Sequence, residues 1–321
     1  TNTGSIGRNQ QLTHFVRVPT GVPALKVDFS GPSATSGTGQ ARFLRWHPYG
    51  LGIDSNAVSN CYSPAAGACS TGSPLSRTTS DPLTGVWELT VDARRSSDAF
   101  FAPYTMTASI LGATVSPNPD VIPTATAGVP IARSYTIANG FGAFTGRAVG
   151  TSFGSANRTV PTIADGEQQQ FGFVVTAGSS SLRATIGGTS DPAADLDLFV
   201  FNCTTGTCVL AGQSADGDSE ESVTIANPAA GAWVVLVDGF AVPAGTTTFN
   251  YIDVFVNAAF GSVAVTDANA LRPAGSVWTV PGTVTASSAP AAGRVLYGNV
   301  QVRTDTNILV GSGDVIVESV Q

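Results

Sequence analysis

In the stretch Asp195-Leu-Asp-Leu-Phe-Val-Phe-Asn202, polar and apolar residues alternate, with two carboxylates on one face and aliphatic side chains on the other. This alternation predicts a half-buried β-strand. Further strand patterns follow as far as Val256, including the nearly all-apolar Ala232-Trp-Val-Val-Leu-Val-Asp238, which comes after the turn Asn227-Pro-Ala-Ala-Gly231. Short strands separated by Gly, Pro, Asn and Ser turns are typical of a β-sandwich.

A diverged copy of this unit lies upstream in the chain. The segment Asp81-Pro-Leu-Thr-Gly-Val-Trp-Glu-Leu-Thr-Val-Asp92 matches residues 227–238, and Trp87 and Trp233 are 146 positions apart. The glycine before each tryptophan strand permits a positive φ at the strand entry. A tryptophan at the same place in both copies favours a core position over the alternative, an aromatic platform for a sugar or peptide.

The domain organisation that we expect is all-β, with two β-sandwich or jelly-roll repeats, each followed by a small β module. The expected order is sandwich A (1–111), a small module (112–162), sandwich B (163–258) and a second small module (259–321). No window shows apolar residues at helical spacing over several turns, so we expect almost no helix. Each module is too short for a large core, so we expect it to pack on a neighbour.

The composition argues against several classes of partner. The formal net charge is −7, and the 15 Lys and Arg residues form no basic run. Binding of nucleic acid phosphates needs clustered basic residues, and so does attraction to an anionic membrane surface. No apolar stretch approaches the length of a membrane span. We therefore expect neither nucleic acid nor membrane as a partner.

The four cysteines form two close pairs, Cys61 with Cys69 and Cys203 with Cys208. Close pairs in an acidic chain rich in Gly, Ser and Thr predict loop-closing disulfides and a secreted, extracellular location. Zinc is the alternative, but neither pair has C-x-x-C spacing. The chain begins at Thr1 without a signal peptide, which suggests a mature or excised piece of a longer secreted precursor.

Acidic residues around the central strand form a candidate metal site. The candidate ligands are Asp195, Asp197, Asp216, Asp218 and Glu220. Ca²⁺ takes six to eight oxygen ligands, several of them carboxylates. Calcium is therefore the candidate cofactor, although the spacing is not that of an EF-hand. The alternative is a solvated acidic loop whose aspartates bond to turn amides.

No arrangement for nucleophilic catalysis is evident. A serine nucleophile needs a base, normally His, oriented by a carboxylate, and the chain has only two histidines. His14 alternates like a sheet residue, and His47 is followed by a proline. A second candidate site is the polar and aromatic cluster Arg45, Trp46, His47 and Tyr49, which has no counterpart in sandwich B. It is the best candidate contact surface, and packing at a strand edge is the alternative interpretation.

Several segments resemble the pre-peptidase C-terminal β domain. Two of them are described above, residues 195–202 and the turn at residues 227–231. The other two are Ser214-Ala-Asp-Gly-Asp-Ser-Glu-Glu-Ser-Val-Thr224 and Val237-Asp-Gly-Phe-Ala-Val-Pro-Ala-Gly245. They are most similar to the version that follows the catalytic domain in actinobacterial subtilisin-like serine peptidases. The region Arg42-Phe-Leu-Arg-Trp-His-Pro-Tyr-Gly-Leu-Gly-Ile-Asp54 resembles the same C-terminal extensions.

The resemblance implies a secreted peptidase whose catalytic domain lies upstream and is absent from this chain. No catalytic residue of that family can be assigned here, because no position matches one. The expected function is that of a non-catalytic accessory region, which docks a protein substrate or stabilises the catalytic domain of the same precursor. The alternative is a free-standing extracellular adhesion or carbohydrate-binding module.

Overall fold

A computed structural model describes residues 1–32, 37–54, 61–64 and 75–321 of the chain. In these residues nearly all regular structure is β, and the described helix is a single 3-10 turn at Ala258–Phe260. The all-β prediction is confirmed. In the same residues, no helix is long and apolar enough to cross a membrane.

The first sandwich consists of two antiparallel sheets. Its strands are β1 (Asn2–Gly7), β2 (Gln11–Val18), β3 (Ala24–Ser30), β4 (Ala41–Trp46), β5 (Ser76–Ser80), β6 (Gly85–Ala93) and β7 (Phe101–Leu111). One sheet has the order β1-β7-β3-β5 and the other the order β2-β6-β4. Their facing sides enclose an apolar core in which Trp87 is fully buried.

The chain continues into the second sandwich. The strands up to its end are β8 (Ala113–Ser116), β9 (Asp120–Ile122), β10 (Ile131–Asn139), β11 (Phe144–Gly150), β12 (Gly154–Thr159), β13 (Thr162–Ala164), β14 (Gln168–Val175), β15 (Ser181–Gly187), β16 (Asp195–Asn202), β17 (Val209–Ser214), β18 (Ser222–Ala226), β19 (Gly231–Ala241), β20 (Thr246–Thr248) and β21 (Asn250–Val256). The sheets of this sandwich have the orders β12-β21-β15-β18 and β14-β19-β16-β17. In these orders β12, β21, β15 and β18 correspond to β1, β7, β3 and β5 of the first sandwich, and β14, β19 and β16 correspond to β2, β6 and β4. The second sandwich has β17 as an additional edge strand.

The two tryptophan strands are entered in the same way. Gly85 has a φ of 133° and Gly231 a φ of 126°, which only glycine adopts readily. The indole N–H of Trp87 donates to the carbonyl of Leu83 at 2.8 Å, and that of Trp233 donates to Ala229 at 2.9 Å. Each buried indole therefore has its partner in the preceding turn, as a core tryptophan requires.

The last strands are β22 (Gly261–Val265), β23 (Ala270–Arg272), β24 (Val277–Ala286), β25 (Val295–Thr304) and β26 (Leu309–Val317). They share sheets with the strands that follow the first sandwich. β22 and β24 pair with β10 and β8 in one sheet, while β25 lies between β12 and β11 in a nine-stranded sheet. The sequence analysis places residues 112–162 and 259–321 in two separate modules, whereas their strands are interleaved here. The two segments therefore share sheets and a core instead of forming two separate modules.

A buried charge pair joins β25 to the second sandwich. Asp253 on β21 is fully buried, and the Arg294 guanidinium at the start of β25 forms a short ion pair with it. The Tyr251 hydroxyl donates to the other carboxylate oxygen at 2.9 Å. Arg294 also donates to the Ser155 hydroxyl at 2.9 Å and lies over the Phe173 ring. This arginine therefore contacts residues of β12, β14 and β21.

Candidate functional site

Two carboxylates face each other across neighbouring strands of the second sandwich. Asp197 on β16 is the cross-strand partner of Asp238 on β19. A β-bulge between Asp195 and Asp197 shifts the register, so that Asp195 lies opposite Ala241. Like charges directly opposite each other destabilise a sheet. The arrangement therefore places two like charges side by side, with the Gln168 side chain donating to Asp238 at 3.1 Å.

The acidic loop after β17 adds a second set of oxygens. Ligand atoms of Asp216, Asp218 and Glu221 lie within 4.8 Å of one another. The loop is shaped by its own aspartates: Asp216 accepts from the amide of Asp218 at 3.2 Å, and Asp218 accepts from the amide of Glu220 at 2.8 Å. Such side chain to backbone bonds are typical of Asx turns.

Glu221, rather than the expected Glu220, joins the two loop aspartates. Glu221 is buried and accepts hydrogen bonds from the Ser214 hydroxyl and from the amide of Asp216 at 2.9 Å. The carboxylate of Glu220 points elsewhere and accepts from the amide of Gly188 at 2.7 Å. The two Asx turns bring the side chains of positions 216, 218 and 221 together, and a ligand role for Glu220 stays a prediction.

The charges of the loop and of the strand pair act on one another. The pKa of Asp197 is raised, first by burial and then by the charges of its neighbours, chiefly Asp195 and Asp238, with Glu221 and Asp216 contributing. The Oδ1 atom of Asp195 is buried and has no hydrogen-bond partner in the described part of the chain. An orphaned carboxylate oxygen among acidic groups fits a hard cation such as Ca²⁺, which prefers carboxylate oxygens.

The first sandwich has a salt bridge where the second has two carboxylates. Arg42 on β4 is the cross-strand partner of Asp92 on β6, and its Nε lies 2.9 Å from the carboxylate. The Tyr62 hydroxyl donates to the same carboxylate at 2.8 Å. Asp92 corresponds to Asp238 in the repeat, so Arg42 occupies the position of Asp197. The first copy therefore supplies its own positive charge at the place where the second has none.

Of the four residues proposed as a contact surface, Arg45 is held in the interior. Its guanidinium lies 2.9 Å from Asp54, and Arg77 lies 3.0 Å from the same carboxylate. All three side chains are largely buried, and Arg45 also donates to the Thr79 hydroxyl at 3.0 Å. Burial lowers the pKa of Arg77 to about 10, although Asp54 opposes this shift. These contacts fasten the end of the loop after β4 to the sandwich.

The other three residues of that cluster differ in exposure. The His47 ring packs edge-on against Trp87 at 4.9 Å between centroids, and the Trp46 indole donates to the Thr90 hydroxyl at 3.4 Å. Tyr49 at the loop tip is 78% exposed. A contact surface here would therefore consist of Tyr49 and its exposed neighbour Leu51, and binding at this place stays a prediction. The other histidine, His14, shares a hydrogen bond of 3.0 Å with Tyr104.

One of the two expected disulfides is confirmed. Cys203 and Cys208 are bonded and close the loop between β16 and β17. Cys69 lies outside the described residues, so its pairing with Cys61 stays a prediction. The confirmed disulfide begins one residue after β16, the strand that carries Asp195 and Asp197.

A comparison with protein families matches part of the second sandwich. Residues 169–239 match the family described as bacterial pre-peptidase C-terminal domain. This match runs from β14 to β19 and so includes the strands of Asp197 and Asp238 and the acidic loop. A curated relative is pyrolysin from Pyrococcus furiosus, which is 28% identical over 123 residues, covering 37% of this chain and 9% of the relative. The chain thus spans less than a tenth of the curated protein that it matches.

Two solved structures align with this chain at lower sequence identity than pyrolysin. Tripeptidyl peptidase 2 aligns with 98% of this chain and 29% of its own, with 10% identity and a TM-score of 0.42. A periplasmic inhibitor of g-type lysozyme from Aeromonas hydrophila aligns with 32% of this chain and 87% of its own, with 17% identity and a TM-score of 0.24.

Proposed function

We propose that this chain is a non-catalytic accessory region of a secreted subtilisin-like serine peptidase. The observation that carries the proposal is the match of residues 169–239 to the pre-peptidase C-terminal domain, together with the similarity to pyrolysin. In this role the chain docks a protein substrate or stabilises the catalytic domain of the same precursor. An extracellular location is part of the proposal, and an actinobacterial origin rests on the sequence resemblance alone.

Deletion of this region from the secreted precursor tests the proposal. If the chain docks substrate, the deletion lowers kcat/KM for a folded protein substrate and leaves kcat/KM for a short peptide unchanged. If it stabilises the catalytic domain, the deletion lowers the Tm of that domain. Intact-mass analysis of the protein from its secreting host shows whether the chain travels with a peptidase. Secretion alone, without peptidase activity, would contradict the proposal and favour an adhesion or carbohydrate-binding module.

We further propose that the second sandwich binds calcium. The facing pair of Asp197 and Asp238 supports this proposal, because the first sandwich neutralises the same place with Arg42. Asp216, Asp218 and Glu221 in the loop already bring ligand atoms within 4.8 Å of one another, and Asp195, Asp197 and Asp238 on the strands would complete the site by moving toward them. The bound ion would offset their mutual repulsion and fasten the acidic loop to the sheet.

Calcium is expected to raise the Tm of the wild-type chain and to leave that of Asp197→Asn nearly unchanged. Binding to the folded state alone stabilises by about 2.7 kcal/mol when free calcium exceeds Kd a hundredfold. Without calcium the variant should have the higher Tm, because it lacks one of the two facing charges. Their repulsion is worth about 0.2–1 kcal/mol. Thermal unfolding in chelator and in excess calcium measures both effects.

Glu220→Gln is the matched control for this experiment, because this variant also removes one acidic charge of the loop. The Glu220 carboxylate accepts a hydrogen bond from the amide of Gly188 and lies apart from the loop carboxylates. This variant should keep the full calcium effect. An equal loss of the effect in Asp197→Asn and Glu220→Gln would show that only the overall charge matters. A wild-type Tm that does not respond to calcium would contradict the metal site itself.

The raised pKa of Asp197 gives the calcium-free chain a defined pH dependence. The folded state holds the proton of Asp197 more tightly than the unfolded state, whose aspartate pKa is about 3.9. Stability therefore falls as the pH rises through the interval between these two pKa values, and the loss is complete above the folded pKa. The Tm of the calcium-free wild type should rise on acidification into this interval relative to Asp197→Asn. An identical pH profile for both proteins would contradict the assignment.

A further inference from the structure

The outer face of the nine-stranded sheet, which points away from the core, carries an unusual set of arginines. They are Arg147 on β11, Arg158 on β12, Arg183 on β15 and Arg303 on β25. None of them forms an ion pair within the part of the chain that the structure describes, although the chain as a whole is acidic. The positive charge of this face is therefore available to a partner.

Two of these arginines lie directly opposite each other. Arg147 and Arg303 are cross-strand partners on β11 and β25, so their side chains leave the same face of the sheet. The guanidinium of Arg303 is held in place, since it donates to the Gln301 side chain at 2.9 Å and to the carbonyl of Asn307 at 2.9 Å. Like charges in this position destabilise the sheet. An anion between them would remove that repulsion.

A groove runs beside this pair. It encloses about 670 Å³ and is lined by both arginines, by the amide side chains of Asn269, Gln301 and Asn307, and by one carboxylate, Asp305. Planar guanidinium groups bind carboxylates through two parallel hydrogen bonds, and the neighbouring amides provide further donors. The groove is therefore suited to a carboxylate ligand.

The same face continues into a second groove of mixed polarity. This groove of about 370 Å³ shares Gln301 with the first and also contains Arg183 and Val256, with Thr151, Ser152, Ser181 and Thr224 around them and the buried side chain of Val254 beneath. Along β25, the outward side chains from Arg303 to Tyr297 stand two residues apart, a line of roughly 20 Å at about 3.4 Å per residue. The carboxylate of Asp314 lies beside this line and accepts a hydrogen bond from the Tyr297 hydroxyl at 2.6 Å.

We infer that this face binds an extended acidic polypeptide. A carboxylate of the partner lies between Arg147 and Arg303, and an apolar side chain lies over the partly exposed Val256 toward Arg183. The spacing of two residues between outward side chains along β25 matches that of an extended polypeptide, whereas a sugar ring would need an exposed aromatic ring and Tyr297 is buried. This inference does not depend on the peptidase assignment.

The test is fluorescence anisotropy of the full chain with two short labelled peptides, one alternating Glu with Val and one alternating Gln with Val. The Glu peptide should bind, and the Gln peptide should bind at least tenfold more weakly. The double variant Arg147→Gln, Arg303→Gln should lose at least tenfold in affinity for the Glu peptide, because hydrogen bonds to charged groups carry most of the binding.

The matched control is the double variant Arg17→Gln, Arg95→Gln, which changes the net charge equally at two exposed arginines of the first sandwich. It should bind the Glu peptide as the wild type does. Equal weakening by both double variants, no binding of the Glu peptide, or tighter binding of a labelled polyuronate would each overturn the inference. A thermal unfolding curve of each double variant verifies that it is folded at the temperature of the binding measurement.

Discussion

Replacing Arg294 with alanine is expected to lower the free energy of unfolding by about 3–5 kcal/mol. Arg294 neutralises Asp253, whose side chain is fully buried on β21, and the variant would leave that carboxylate without a positive partner. Removing one member of a buried ion pair costs about this much, because an uncompensated charge stays in the interior. The variant also loses the hydrogen bond to Ser155 and the contact with the Phe173 ring. Urea denaturation measures the loss.

Removal of both charges provides the control for Arg294. In the double variant Arg294→Met, Asp253→Asn no buried charge remains, so the loss should be clearly smaller than in the single variant. The single variant should also regain stability on acidification, because protonation neutralises Asp253. A double variant as unstable as Arg294→Ala would show that packing around residue 294, and not its charge, holds β25 against the second sandwich.

Replacing Asp54 with asparagine is expected to lower the free energy of unfolding by a similar amount, about 3–5 kcal/mol. Asp54 is the acceptor for both Arg45 and Arg77, and all three side chains are largely shielded from water. The variant leaves two buried guanidinium groups with no carboxylate between them, and their mutual repulsion adds to the cost of burial. The backbone amide of Arg45 also donates to this carboxylate, at 2.8 Å. Chemical denaturation with a probe of the first sandwich, such as the fluorescence of Trp87, measures the effect.

Asp28→Asn is the control for Asp54 within the same sandwich. Asp28 pairs with Lys26 at 3.1 Å, but both side chains are exposed enough for water to screen them. Exposed pairs contribute about 0–1 kcal/mol, so this variant should unfold close to the wild type. Equal losses of unfolding free energy in Asp28→Asn and Asp54→Asn would mean that water screens the charges around Asp54 as it screens an exposed pair.

The parts of the fold with local causes could be predicted from the sequence. Alternation along residues 195–202 identifies a strand, and the glycine before each tryptophan identifies the entry to a buried strand. The repeat of that pattern, with Trp87 and Trp233 at matching positions, also predicted two sandwich repeats. The carboxylates Asp195 and Asp197 were recognised for the same reason, since their spacing of two residues puts them on one face.

The parts with distant causes could not be predicted. Arg294 lies in a stretch rich in Ala, Pro, Gly and Ser, and nothing local indicates that its partner is Asp253 on another strand. Asp238 was missed as a member of the acidic site, because its position opposite Asp197 depends on strand register across a bulge. The interleaving of the small modules likewise depends on pairings between strands that are far apart in the chain.

The place of β12 in the nine-stranded sheet has a consequence for how the chain acquires its fold. β12 lies between β21 and β25, and β26 pairs in parallel with β9, so that Val315 meets Asp120. Each of these pairings closes a loop of about ninety residues or more, and sheets with such long-range contacts form slowly. The strands of the first sandwich all lie within residues 2–111 and pair only with one another. On a growing chain the first sandwich can therefore fold early, while β9 and β12 each keep an unpaired edge until β25 and β26 have been synthesised.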